Sequence, residues 1–62
     1  SKIIQKGIDD LPPSCKKIFI LSRYKDMSYN EIADHLSISV NTVKTQIKIA
    51  LARLREKLKN II

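Results

Sequence analysis

Apolar residues recur along this chain at three- and four-residue intervals, and the pattern is interrupted between successive segments in a way that divides it into four helices. Lys2 to Ile8 carries Ile3, Ile4 and Ile8, an apolar face of about two turns ending near Gly7. Asp9-Asp10-Leu11-Pro12-Pro13 breaks it, because a residue before proline is pushed out of helical geometry. A second helix should start at Pro13, since proline is tolerated in a helix's first turn. From Ser14 to about Tyr24 it places Cys15, Ile18, Phe19 and Ser22 on one side, with Leu21 at the border. Lys25-Asp26-Met27 is a short link, with Met27 as an apolar staple before the next cap.

The stretch Ser28 to Lys48 carries the most information. Ser28 with Glu31 three residues on is a capping box, so a third helix begins there, with Ile32, Ala33 and Leu36 on its buried face. Ser37-Ile38-Ser39 interrupts the pattern, Ile38 being an apolar plug and Ser39 the next N-cap. The fourth helix is long. On a wheel of 100° per residue from Val43, the residues Val43, Ile47, Ala50, Leu51, Leu54, Leu58 and Ile61 fall between about −20° and 80°, a predicted buried stripe. Asn41, Lys44, Lys48, Arg55 and Lys59 fall between about 100° and 160°, a polar ridge beside it. The whole reads as an all-α, small four-helix domain containing a helix-turn-helix with a long C-terminal helix, one domain over residues 1–62. No run shows strand alternation, and no repeat, linker or low-complexity segment is seen.

Composition supports the helical reading and adds a partner. Apolar residues make up 44% of the chain, yet Phe19, Tyr24 and Tyr29 are its only aromatics, so the core must come from Ile, Leu and Val. At 62 residues the chain is near the lower limit for a core to support folding alone. The net charge of +6 is unevenly spread: residues 1–38 hold six basic and five acidic side chains, whereas 39–62 hold six basic against Glu56 alone. A basic stripe on one helix is the footprint of a nucleic-acid binder. Cys15, the single cysteine, excludes an internal disulfide and a thiolate-cluster metal site. His35 has no ligand cluster around it in sequence and reads as a surface side chain. No phosphate loop, carboxylate pair or nucleophile constellation is found, so no enzyme activity, cofactor or metal is expected, nor a small-molecule substrate. Without a leader or an apolar run of about 18 residues, no membrane association is expected and the setting reads as cytoplasmic. The start SKIIQKGIDD, lacking an initiator Met, points to a piece of a longer chain.

Ser39, Asn41, Thr42, Lys44, Thr45 and Lys48 are the candidate DNA contacts, at the start of the fourth helix. Asn pairs with adenine, Lys with guanine edges, and Thr with a base or the thymine methyl. The alternative is an ordinary solvated face; the capped helix and turn in front of these residues favour function. Arg23 and Lys25 are candidate phosphate contacts, and Arg55, with Lys59, should meet the DNA backbone, another protein or solvent. Ser28, Tyr29 and Asn30 lie where a helix end can meet phosphate, although capping is the main role read for Ser28 and Ser39. A helix of about 20 residues is roughly 30 Å long against a groove about 12 Å wide, so only its first turns can enter.

Leu11-Pro12, the IFILSRY segment, the SYNEIADHL-SIS-VNTVK core and the closing ALARLREKL together resemble region 4 of the sigma-70 family, specifically the extracytoplasmic-function (ECF) sigma factors. The resemblance covers about Asp10 to Leu58. It implies a domain that binds the promoter minus-35 element as double-stranded DNA while packing on the beta-subunit flap of RNA polymerase, with an anti-sigma factor as a further partner. It assigns recognition to Asn41, Thr42, Lys44, Thr45 and Lys48. The chain departs from the family at Ser37, often Gly in related turns, and at Lys44, Gln46 and Lys48, often Arg, a side chain with two-pronged donors that Lys lacks. Region 2, which melts and reads the minus-10 element, is not among these residues, so they alone are not expected to initiate transcription. LuxR-type response-regulator output domains share the EIA-x-x-L-x-I-S-x-x-TV core and usually dimerise through their last helix. A third reading is a protein-interaction module, in which Ile20, Ile49 and Ala52, off the predicted buried stripes, dock polymerase or an anti-sigma factor.

Overall fold

The computed structural model describes residues 2–59, with the side chains of residues 2–4 outside that description. The roles predicted for Ile3, Ile4 and Ile61 therefore lie outside the described residues. Four helices follow one another: α1 (Lys2–Asp9), α2 (Pro13–Arg23), α3 (Tyr29–Leu36) and α4 (Val40–Lys59). α1 runs one turn-fraction further than its apolar face suggested, to Asp9, where the Asp10 amide still donates to the Lys6 carbonyl. α2 opens with Pro13 at its first position, and the Lys16 amide closes the first turn onto the Pro12 carbonyl at 2.8 Å.

α3 starts on the predicted capping box. The Ser28 hydroxyl accepts from the Glu31 amide at 3.1 Å, and the Glu31 carboxylate accepts from the Ser28 amide at 2.9 Å. Two amides that no helical carbonyl can reach are thereby satisfied. α3 ends at Ser37, which takes the left-handed conformation with φ 56° and ψ 45°. There the Ile38 amide reaches back to the Ala33 carbonyl at 3.0 Å, the bond that closes a helix of this ending. A side chain thus occupies a backbone region that glycine enters at no steric cost.

α4 packs against all three other helices. The core consists of Ile8, Leu11, Cys15, Ile18, Phe19, Ile32, Ala33, Val43, Ile47 and Ala50, with Leu21, Met27, Leu36, Ile38 and Leu54 packed at its margin. Ile32, Val43 and Ala50 are fully buried. The stripe predicted on α4 is therefore correct for its first half and wrong at two places in its second. Leu51 is 36% and Leu58 44% exposed. The reason is length: α3 has eight residues and α4 twenty, so α3 stops covering α4 near its middle. α1 packs on this part of α4, where Gly7 approaches Leu54 so closely that an added Cβ would stand 2.8 Å from its Cδ2. Ile20, grouped by sequence with Ile49 and Ala52 on an open surface, instead packs at the core margin, while Ile49 and Ala52 are exposed. No helix among the described residues is long and apolar enough to cross a membrane.

Candidate nucleic-acid interface

The core fixes α4 through Val43, Ile47 and Ala50, so the residues between them face outward by helical periodicity. Asn41, Lys44, Thr45 and Lys48 are all exposed. Lys44, Lys48 and Asn41 sit on the ridge beside the buried stripe, and Thr45 lies about 200° around the wheel, nearly opposite the core. The four share one open surface over the first three turns of α4.

Ser39 and Thr42 are placed together and turned to another task. The Ser39 hydroxyl accepts from the Thr42 amide at 3.0 Å, and the two side-chain hydroxyls share a hydrogen bond of 2.9 Å. They form the N-cap of α4, with the Val43 amide donating to the Ser39 carbonyl. Sequence spacing marked Ser39 as this cap; the part taken by the Thr42 hydroxyl was missed, although a hydroxyl three residues after the cap was the available signal. Thr42 also borders a groove of about 290 Å³ lined with Ser14, Lys17, Ile18, Leu36, Ile38 and Gln46.

The two candidate arginines are not with this group. The Arg23 guanidinium lies over the Phe19 ring, 5.8 Å from its centroid, a cation–π contact at the end of α2. Arg55 is exposed on the ridge, but fourteen residues beyond Asn41, or about 21 Å along the axis. Lys25, Tyr29 and Asn30 are exposed near the start of α3, Tyr29 at 36%. Among the basic residues, Lys57 and Lys16 are engaged elsewhere: Lys57 pairs with Asp10 at 2.9 Å and Lys16 with Asp9 at 3.4 Å. Asp10 is held below its ordinary carboxyl value, chiefly by the hydrogen bond and charge of Lys57. Glu31 is likewise lowered, by the amide and hydroxyl of Ser28.

Cys15 is 1% exposed and donates its thiol to the Gln46 carbonyl of α4 at 3.3 Å. Burial pushes its pKa up, with only partial opposition from the Arg53 charge, so the thiol stays protonated and serves as core filling between α2 and α4. Among the described residues, no three of His, Cys, Asp and Glu gather as a metal site.

Comparison with known proteins places the chain in a family. The family described as sigma-70, region 4 matches residues 1–54. The RNA polymerase sigma-E factor of Streptomyces antibioticus is 41% identical over 56 residues, covering 90% of this chain and 31% of that protein. The sigma-E factor of Streptomyces avermitilis is 40% identical over 50 residues, 81% of this chain and 28% of that protein. The RNA polymerase sigma factor SigV of Bacillus subtilis is 36% identical over 55 residues, 89% of this chain and 33% of its own length. The chain thus spans about a third of the length of these curated relatives. No solved structure matches it significantly. The matched region reaches from α1 into the far half of α4 and so takes in the capped turn and the residues Asn41, Lys44, Thr45 and Lys48 together: the chain belongs to the sigma-70 region 4 family.

Proposed function

We propose that this chain is the minus-35 promoter-binding domain of an ECF-type RNA polymerase sigma factor. The observation that carries the reading is the Ser39-capped start of α4, which presents Asn41, Lys44, Thr45 and Lys48 on one exposed face in a chain matched by sigma-70 region 4. A face of this size fits the major groove, and its side chains suit base edges. Lys44 and Lys48 read or straddle the bases with Asn41 and Thr45. Ser39 and Thr42 act chiefly by holding the helix end, with their free acceptor capacity turned toward phosphate. Arg23, beside the α2–α3 link, neutralises a phosphate from its perch on Phe19. RNA polymerase is the second partner, its beta flap the docking element implied by the family, and the domain works inside the cell.

The test is a selection of short duplexes from a random pool at fixed moderate salt, with wild type and Lys44→Ala side by side. An enriched motif that the variant loses supports readout by α4. Binding that is salt-sensitive but without any enriched motif would remove base reading from this domain acting by itself.

A further inference from the structure

A helix lying in the major groove has phosphates on either side of it, because the groove is about 12 Å wide and a helix with its side chains about 10 to 12 Å across. The start of α4 can answer only one of these walls by itself. Measured around the helix from Val43, the two cations of its first three turns, Lys44 and Lys48, lie at about 100° and 140°. Thr42 and Gln46 lie at about 260° and 300°, on the other flank, and neither carries a charge. The cation beside that flank comes from another helix. Ser14 and Lys17, one turn apart on α2, line the same groove of about 290 Å³ as Thr42 and Gln46, with Leu36 and Ile38 in its apolar part. Lys17 is exposed, and no carboxylate lines the groove with it among the described residues. Nor does Lys17 form an ion pair among them, whereas Lys16, next to it in the chain, is matched by Asp9.

We propose that Lys17 is a DNA contact from outside the helix-turn-helix, holding one backbone phosphate of the bound duplex at the mouth of this groove, on the wall of the major groove away from Lys44 and Lys48. Two features select this occupant. The single charge lining the groove is positive, and the groove opens beside Thr42, so it is continuous with the proposed DNA face. An ammonium suits a lone phosphate oxygen as a compact point charge, and the exposed Ser14 hydroxyl adds a donor beside it. The consequence is mechanical. With cations on both flanks, α4 is kept from rolling about its axis, which holds Asn41 and Thr45 toward base edges, because phosphate contacts set the register in which bases are read. This deepens the promoter-binding reading and rests on it.

The experiment titrates the full chain with two duplexes of unrelated sequence over a series of salt concentrations, read by fluorescence anisotropy, for wild type, Lys17→Ala, Lys17→Arg and Lys16→Ala. Each phosphate neutralised contributes about 0.9 to the slope of log affinity against log salt. Lys17→Ala should lower that slope by about 0.9, weaken both duplexes by the same factor and leave the melting temperature unchanged, its side chain being exposed. Lys17→Arg should keep the wild-type slope. Lys16→Ala removes the same charge one residue away, outside the groove, and should keep it too. An unchanged slope in Lys17→Ala, an equal fall in Lys16→Ala, or a loss confined to one duplex would each overturn the proposal while leaving promoter binding standing; the second would reduce Lys17 to general positive potential and the third would make it a base reader. A wild type that binds neither duplex would overturn this proposal and the promoter-binding reading together.

Discussion

In the first half of α4, Val43, Ile47 and Ala50 are at most 4% exposed, whereas Leu58 in the second half is ten times more open, although all lie within one arc of the same helix. The first half is clasped between α2 and α3 and begins at a double hydroxyl cap. Among the described residues, the second half meets α1 through the close approach of Gly7 to Leu54 and a solvent-exposed ion pair from Lys57 to Asp10. The outward face of the first half is positioned by burial beneath it, whereas Leu51 and Leu58 in the second half leave apolar surface open. Rigidity here follows the number of neighbours a helix turn has, not its own sequence pattern.

Core truncation should break the comparison most forcefully. Ile32→Ala, at a site with no exposure, should cost about 2–5 kcal/mol, enough to unfold much of so small a domain. Leu58→Ala should cost under about 1 kcal/mol, because nearly half of its surface is already in water. Urea denaturation of both variants measures this directly; equal costs would mean that the far half is as well packed as the near half.

The same contrast should appear in DNA binding. Lys44→Ala is expected to lose about 1–3 kcal/mol of affinity and to relax base preference at one position. Lys59→Ala removes the same charge from the same ridge about 22 Å further along, where the helix has left the groove, and should change affinity little. Fluorescence titration at one salt concentration compares them, and parity between the two would reduce Lys44 to a source of general positive potential.

Much of the near half was legible in the residues themselves. Ser28 with Glu31, and Ser39 at the next helix start, announce their caps by spacing, and Pro12-Pro13 sets the start of α2, because each is a local rule that the rest of the chain does not override. The sites of error were tertiary. Nothing in the spacing of Leu51 and Leu58 reveals that α3 is too short to reach them, or that Gly7 brings α1 down on Leu54. Arg23 and Arg55 carry the right charge for phosphate, but the ring under one and the distance of the other are properties of the packed helices. The placement of Asn41, Lys44, Thr45 and Lys48 on one face needed only the helical period and the position of Val43.

Backbone chemistry at the turn offers a smaller pair of effects with opposite signs. Ser28→Ala removes an N-cap and should cost about 1 kcal/mol. Ser37→Gly relieves a side chain held at φ 56° and should stabilise by up to about 1 kcal/mol, the gain being trimmed by the greater freedom of glycine in the unfolded chain. Thermal melts of the two variants should therefore move in opposite directions, and a Ser37→Gly variant that melts lower would show that the hydroxyl contributes something the backbone does not.

Acid should probe the two halves through one carboxylate each, with the smallest effects of all. Glu31 on α3, which packs beside the near half, and Asp10 beside the far half are both lowered from ordinary values of 4.5 and 3.8 by their partners. A carboxyl with a depressed folded-state value contributes stability above its unfolded value and loses it as pH falls through the folded one. Stability should accordingly be level from neutral pH down to about pH 5 and then decline through the range below 4.5. Glu31→Gln should flatten the part of that decline that belongs to the α3 cap, and Asp10→Asn the part that belongs to the Lys57 tie. Both groups are open to solvent, so added salt should weaken the Asp10 contribution by screening, while the Glu31 bond to a backbone amide, set by geometry at 2.9 Å, should persist. If instead the decline in Asp10→Asn matches wild type at low salt, the ion pair does not hold α1 to α4, and apolar packing of Ile8, Leu11 and Leu54 carries that contact.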